Sequence, residues 1–369
     1  MYEQEKEKAK HMNKDIRILI TGAAGFIGTN FIQYLKESNY DISTITGIDN
    51  LSTGRKMDIH KEIYFEQLDI RDRLNIDRLF EQGQFTHCLH LAGLVSIYDC
   101  NKDPKNAFDN NVIGSINVID ACVKYGVKLI AAETSAVYEG CELPTGGSIV
   151  SSINKMHTSY KWPSKGYEET QSCPETIYAI TKATIANIVH SASKYRGLEY
   201  NMLRFFNVAG YLQDYRRTVP ALHCGFIIRI LQGKPVVVFG DITRRRDFIH
   251  VDDVCDFLWN KCILSSAYSN ETYNLGTGIS VSLEEIKDIV YGTFGLEPKE
   301  PMFLPEINAE AHTIFANISK AKSTGWCPKK GMTEIIQDTY EYIVNEIENG
   351  NIAADFMDDI EEKYQSVKI

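Results

Sequence analysis

Between residues 15 and about 210, short apolar runs alternate with stretches whose apolar residues recur three and four positions apart. The runs at 16–20, 42–48, 62–67, 86–91, 127–134 and 199–205 predict strands. The stretches at 25–38, 72–82, 103–125 and 175–196 predict helices. Strand and helix taken in turn imply a parallel sheet covered on both faces, a doubly wound α/β architecture. After Gly210 the rhythm changes. A helix near 220–232 and a short strand at 236–239 come first, 248–277 returns to the earlier pattern, and 281–345 reads as small helices and strands. This predicts a main domain over 15–210, with 248–277 returning to it, and a smaller C-terminal α/β lobe from 211–247 and 278–345. A cleft between the two is the expected place for a substrate.

Three segments fall outside these patterns. Residues 1–14 are polar and charged and predict a disordered extension. Residues 139–174 carry Pro144, Gly146, Gly147 and Pro163 and predict a long loop over the cleft, since loops beyond about 15 residues are uncommon and often functional. Residues 346–369 form an acidic tail with helical spacing at Ile352, Phe356 and Ile360.

The first strand–helix junction holds the strongest chemical signal. Ile16–Ile20 runs into Thr21-Gly22-Ala23-Ala24-Gly25-Phe26-Ile27-Gly28. Glycines in such a turn let the backbone approach a pyrophosphate, and the helix that follows offers free N–H groups and a positive dipole end. The second strand ends in Asp49. An acid roughly 20 residues past the glycines can accept from the ribose hydroxyls and would repel a 2′-phosphate, which favours NAD over NADP. Arg55 follows and could bind such a phosphate.

Two further signals point to proton transfer. Tyr178 and Lys182 stand four apart on a predicted helix and share a face. A neighbouring ammonium favours the phenolate, so Tyr178 can act as a general base. The fifth strand ends at Thr134, where a hydroxyl can steady the oxygen that loses its proton, because ligands of a parallel sheet bind beyond the carboxyl ends of its strands.

Composition narrows the field. The 369 residues carry a net charge of −10, which argues against a nucleic-acid partner. The cluster Arg244-Arg245-Arg246 suits a small anionic ligand or a solvated loop. No apolar run reaches the roughly 18 residues needed to span a bilayer, so no membrane partner is expected. The nine cysteines lack any CxxC pair, which predicts no metal site and reduced thiols in the cytoplasm.

Taken together the motifs resemble the extended short-chain dehydrogenase/reductases, in their NAD-dependent nucleotide-sugar epimerase and dehydratase branch. The likeness covers about residues 15–335. It implies a Rossmann-type domain and a substrate-binding lobe. The glycine motif at 21–28 resembles the family's own and places Gly22, Gly25, Phe26, Ile27 and Gly28 on the cofactor, with Asp49 and Asn50 beyond the second strand. Leu68-Asp69-Ile70-Arg71-Asp72 resembles the adenine-contacting segment, which implies contacts from Asp69 and Ile70; Asp69 could equally cap a helix. His90-Leu91-Ala92-Gly93 resembles the strand lining the cofactor, and Asn111-Val112-Ile113-Gly114 a neighbouring helix segment. Leu91, Ala92, Gly93, Asn111 and Phe205 are thus cofactor-binding by resemblance, together with Tyr178 and Lys182. His87 and His90 read as packing residues.

Tyr178, Lys182 and Thr134 fall on the family's catalytic positions. Ser135, Asn207 and Arg246 are implied as substrate-binding, the last within a segment that holds a nucleotide diphosphate. The related 4,6-dehydratases carry an Asp-Glu pair just after the catalytic threonine, and this chain has Ser135 and Ala136. The resemblance therefore implies an isomerase: an NAD-dependent nucleotide-sugar epimerase of carbohydrate biosynthesis, acting at C4 through a transient 4-keto sugar. A dehydratase or 4-keto-sugar reductase of the same family is the alternative, and a non-catalytic NAD-binding regulator the more distant one. A second diphosphate-binding arginine of many relatives is missing near Glu306-Ile307-Asn308, where Arg244 or Arg245 could compensate. The apolar stripes of helices 103–125 and 175–196 resemble those that pair relatives into homodimers.

Overall fold

The computed structural model describes residues 16–138, 174–216, 220–305, 313–353 and 355–356. The expected extension at 1–14, the loop at 139–174 up to residue 173, Glu306-Ile307-Asn308, and the end of the acidic tail from 357 lie outside the described residues.

Chain order begins with β1 (Ile18–Thr21), α1 (Phe26–Glu37), β2 (Ile45–Asp49), β3 (Tyr64–Gln67), α2 (Arg73–Gly83) and β4 (His87–His90). Next come α3 (Ile97–Lys102), α4 (Pro104–Phe108), a π-helical turn (Asp109–Ile113), α5 (Gly114–Tyr125), β5 (Lys128–Thr134) and a 3-10 turn (Ser135–Tyr138). Then follow α6 (Ile177–Arg196), β6 (Tyr200–Phe205), β7 (Asn207–Ala209), α7 (Leu222–Leu231), β8 (Val237–Phe239), β9 (Arg245–Arg246) and β10 (Phe248–His250). The rest is α8 (Val251–Phe257), a second π-helical turn (Leu258–Ile263), β11 (Glu271–Leu275), β12 (Val281–Ser282), α9 (Leu283–Phe294), β13 (Met302–Leu304), β14 (Thr313–Ile314), α10 (Ser319–Ser323) and α11 (Met332–Glu348).

Seven strands form one sheet in the order β11-β6-β5-β4-β1-β2-β3. Parallel ladders join β3, β2, β1, β4 and β5, with Ile18 opposite Ile45 on one side and His87 on the other. Every residue of β1 is buried, which explains its unbroken apolar run: a central parallel strand is covered on both faces. Edge strand β3 is exposed at both ends. This is the doubly wound, Rossmann-type sheet that the alternation predicts, and its order reverses between β1 and β4, the point where such sheets bind ligands.

One predicted helix is broken. The stretch 103–125 divides into α4, the π turn and α5, and α3 precedes it unpredicted. Pro104 cannot continue α3, and Asp103 caps α4 by accepting from the Asn106 amide.

Contacts divide the chain into two units. The first takes 1–134, 176–204 and 255–273. The second takes 135–175, 205–254 and 274–369, so the returning segment is narrower than 248–277. In the second unit β10 pairs with β7, and β9 lies between β12 and β14. Its core gathers Phe226, Ile227, Ile286, Val290, Ile335 and Ile343. No helix among the described residues is long and apolar enough to cross a membrane.

Candidate active site

In the first unit the glycine turn is built so that no side chain fits it. Gly22 has φ +73°, and a Cβ there would lie 2.8 Å from the Ala92 nitrogen. A Cβ on Gly28 would lie 2.6 Å from the Gly22 carbonyl oxygen, and one on Gly25 3.2 Å from it. The three glycines thus close the turn on itself and press it against Leu91 and Ala92. Gly25 caps α1 without a side-chain bond, and the first turn of α1 carries no acid. Its N–H groups face no competing carboxylate of their own helix, as an anion-binding helix start requires. Phe26 and Ile27 are half-buried at that start.

Asp49 closes β2. Its Oδ2 accepts from the Ala24 amide at 3.2 Å and its Oδ1 from the Leu51 amide at 2.7 Å. The side chain that would meet a ribose is therefore fixed against the glycine turn. Burial pushes its carboxyl pKa up, against those two hydrogen bonds. Asn50 donates to Asp69 at 2.9 Å. Asp69 also accepts from Arg71 Nε at 2.9 Å and Nη2 at 2.7 Å, which hold its carboxyl well below the usual range. Asp69 does not cap α2; Asp72 does, accepting from the Asn75 amide. Ile70 is buried and fills the space over Gly114.

Behind the turn, His90 Nδ1 meets Thr21 Oγ1 at 2.7 Å and Nε2 meets Ser115 Oγ at 2.8 Å. Burial and the nearby Lys182 lower its pKa to about 3, so the ring is neutral. Thr21 Oγ1 also accepts from the Ala92 amide at 3.2 Å. His90 is thus a packing residue that steadies β1 and β4. Asn111, in the π turn, accepts from the Leu94 amide at 2.7 Å. Its Nδ2 donates to the Leu94 carbonyl and to Thr181 Oγ1, each at 3.0 Å. Thr181 Oγ1 in turn donates to the Tyr178 carbonyl at 2.7 Å. The chain after Gly93 and the first turn of α6 are therefore tied to one side chain. A Cβ on Gly93 would sit 3.0 Å from Asn111 Oδ1 and 3.8 Å from Lys182 Nζ.

Thr176 caps α6 by accepting from the Ala179 amide at 3.2 Å. One turn on, Lys182 is 5 % exposed and donates to the Ala132 carbonyl on β5 at 3.1 Å. No second hydrogen bond holds its ammonium among the described residues. Burial lowers its pKa to about 8, opposed by Glu133 and Cys100. Tyr178 is half-buried on the same helix, and Thr134 is buried at the end of β5. Beside Thr134, Glu133 forms a buried pair with Arg204, Nε to Oε2 at 2.7 Å and Nη2 to Oε1 at 3.0 Å. A closed glycine cradle, an uncapped helix start, a strand-end acid and a buried ammonium with N–H groups to spare are what a nicotinamide dinucleotide needs.

Ser135, Phe205, Asn207 and Arg246 belong to the second unit. Asn207 Nδ2 donates to the Asp247 carbonyl at 3.0 Å, and Arg246 Nη1 to the Arg245 carbonyl at 3.0 Å. Arg245 is held by Ser280 and, at 3.0 Å, by Glu285, so its guanidinium is committed to the lobe. Asp247, fully buried, accepts from the Thr277 amide and hydroxyl, the Gly278 amide and the Ala316 amide. It ties the strand residues Asn207 and Arg246 to the backbone at 277, 278 and 316. In the same unit His250, Asp252 and Asp338 bring metal-ligand atoms together. Lys330 Nζ lies 2.6 Å from Asp252 and 3.5 Å from Asp338, so an ammonium already takes a cation's place.

Residues 18–276 match the NAD dependent epimerase/dehydratase family, and the chain belongs to it. The UDP-glucose 4-epimerase of Thermotoga maritima, solved with UDP-glucose, superposes with a TM-score of 0.77 at 27 % identity, covering 90 % of this chain and 100 % of that one. The UDP-glucose 4-epimerase of Thermus thermophilus, solved with NAD, gives a TM-score of 0.75 at 28 % identity over 89 % and 99 % of the two chains. The UDP-glucose 4-epimerase of Mycoplasma genitalium is 28 % identical over 324 residues, 84 % of this chain and 90 % of the relative.

Proposed function

We propose that this chain is an NAD-dependent nucleotide-sugar 4-epimerase with a UDP-hexose as substrate. The observation that carries the reading is the ammonium of Lys182, buried beside Gly93 one turn from Tyr178. A buried cation with one hydrogen bond among the described residues is costly in an empty site and useful next to a phenol that must ionise. The relatives' names supply the sugar class.

Bound NAD supplies a hydride acceptor that later returns the hydride. Gly22, Gly25, Phe26, Ile27 and Gly28 hold its pyrophosphate, Asp49 and Asn50 the adenosine ribose, and Asp69 and Ile70 the adenine side. Leu91, Ala92, Gly93, Asn111 and Phe205 line the remaining length. Tyr178, as phenolate, takes the proton from the 4-hydroxyl and gives it back after the sugar has presented its other face. Thr134 donates a hydrogen bond to that oxygen while it is a carbonyl. Lys182 keeps Tyr178 ionised and binds a ribose hydroxyl. Ser135, Asn207 and Arg246 hold sugar and diphosphate. Ser135 and Ala136 cannot act as the acid and base that loss of water across C5 and C6 would require.

We also propose a cytoplasmic homodimer in carbohydrate biosynthesis. None of the described cysteines forms a disulfide, which suits a reducing compartment. Phe108 and Ile113 are 36 % and 51 % exposed on the helical stretch expected to pair.

Incubation with UDP-glucose, UDP-galactose and their N-acetylated forms, without added NADH, tests the function. At least one pair should interconvert with no net change in the nicotinamide absorbance. Tyr178→Phe should lower the rate by about 10²- to 10⁴-fold, the usual worth of general base catalysis. No interconversion of any UDP-hexose, or full activity in Tyr178→Phe, sinks the reading.

A further inference from the structure

The strand-end acid Asp49 is not the only carboxylate that bears on the ribose end of the cofactor. The loop after β2 folds back on the glycine turn: a Cβ on Gly54 would lie 2.8 Å from the Ala24 carbonyl oxygen. Arg55 leaves that loop one residue later. Its guanidinium is the one cation of the loop whose planar fork could match a phosphate in two places. It is already matched. Nε meets Asp58 Oδ2 at 2.7 Å and Nη2 meets Oδ1 at 2.8 Å. The two side chains are 12 % and 17 % exposed, so the pair is largely out of water.

We infer that Asp58 is a specificity-determining residue: it holds Arg55 away from the adenosine ribose and so excludes a 2′-phosphorylated dinucleotide. The inference rests on the NAD-binding reading and adds a second residue to the discrimination. A 2′-phosphate could recruit Arg55 only by displacing Asp58, which would leave that carboxylate half-buried and uncompensated. Exchanging one anion for another on the same guanidinium gains little, and Asp49 repels the phosphate in addition. Without the charge at residue 58 the same arginine becomes a phosphate ligand.

The test is the ratio of dissociation constants for NADP and NAD, measured by calorimetric titration of the full-length protein freed of nucleotide. Asp58→Asn keeps the volume and removes the charge. It should lower the NADP-to-NAD ratio about tenfold, the scale of one charge-assisted bidentate contact. Adding Arg55→Ala to that variant should restore the wild-type ratio. Arg55→Ala alone should leave the ratio unchanged, because the wild-type guanidinium is not available to the phosphate; this variant keeps the test open should Asp58→Asn fold poorly. The inference is overturned by an unchanged ratio in Asp58→Asn, by a gain that survives Arg55→Ala, or by a tenfold loss of NADP in Arg55→Ala alone. A wild-type protein that binds neither nucleotide overturns the cofactor reading instead, and this inference with it.

Discussion

Two buried cations reach β5 at successive residues, and they are treated in opposite ways. Arg204, 2 % exposed, meets Glu133 with two parallel hydrogen bonds of 2.7 and 3.0 Å. Lys182, 5 % exposed, has one hydrogen bond among the described residues, to the Ala132 carbonyl at 3.1 Å. Both ions have lost their water. One is hydrogen-bonded to a matched counter-ion; the other, among the described residues, is hydrogen-bonded to one dipole and feels Glu133 without bonding to it. A fold that needed only stability would have given Lys182 a carboxylate or an apolar side chain. The contrast sets a charge whose hydrogen bonds are matched against one that burial leaves short of partners, as the proposed role of Lys182 in binding NAD requires.

The largest effect is expected at the satisfied pair. Arg204→Met leaves Glu133 buried without its partner and should cost about 3–5 kcal/mol in urea unfolding. Replacing both residues with Met and Leu should recover most of that loss, since a well-packed apolar pair is often as stable as a buried ionic one. A cost under about 1 kcal/mol for the single change would dissolve the comparison, because exposed pairs are worth no more than that.

The unsatisfied charge should respond with the opposite sign. Lys182 has a folded pKa of about 8 against 10.5 for the free side chain. Between those values the unfolded chain holds more protons at this residue, so the contribution of Lys182 to the stability of the nucleotide-free protein rises with pH across that window. Below pH 8 both states are protonated and the full cost of the buried charge is present. Lys182→Met should therefore stabilise the nucleotide-free protein at pH 7 by up to about 3 kcal/mol, and this gain over wild type should shrink between pH 8 and 10.5. The same variant should lose NAD on gel filtration and turn over poorly. A destabilised Lys182→Met protein would mean that the ammonium is structural after all.

These contrasts also mark what the sequence could disclose. The sheet was legible because β1 and β5 carry the apolar runs Ile18–Ile20 and Leu129–Ala132, as strands covered on both faces do, and because helical spacing follows in turn. The glycine turn was legible because the backbone approaches at Gly22 and Gly28 leave no room for a Cβ and that at Gly25 leaves little. Glu133 and Arg204 were not, since they stand 71 positions apart and nothing in the local pattern of either names the other as its partner. Asp247 stayed hidden for the same reason: its partners at 277, 278 and 316 become neighbours only once the second unit has folded. The break in the helix at 103–125 could have been suspected from Asp103-Pro104, a cap followed by a residue suited to a first helical turn. The π turn at Asn111 has no such marker. Its signal is the side chain's own bonds to Leu94 and Thr181, which exist only in the folded protein.

The smallest effect belongs to a third carboxylate pair, and it calibrates the other two. Asp69 and Arg71 make a bidentate contact like that of Glu133 and Arg204, but their side chains are 27 % and 43 % exposed. Arg71 and Asn50 hold the Asp69 carboxyl well below its usual range. A depressed carboxylate stabilises the fold above the unfolded pKa and loses that contribution as pH falls through the folded value, so the cost of Arg71→Ala should shrink steadily as pH is lowered below the ordinary carboxylate range. At pH 7 solvent screens the pair, and the same change should cost less than about 1 kcal/mol. Half-molar salt should erase most of even that, while the penalty in Arg204→Met should survive it, because ions cannot enter a dry pair. If Arg71→Ala instead cost as much as Arg204→Met, geometry rather than burial would set the strength of these pairs, and the reading of Lys182 as a charge left unsatisfied by burial would lose its basis.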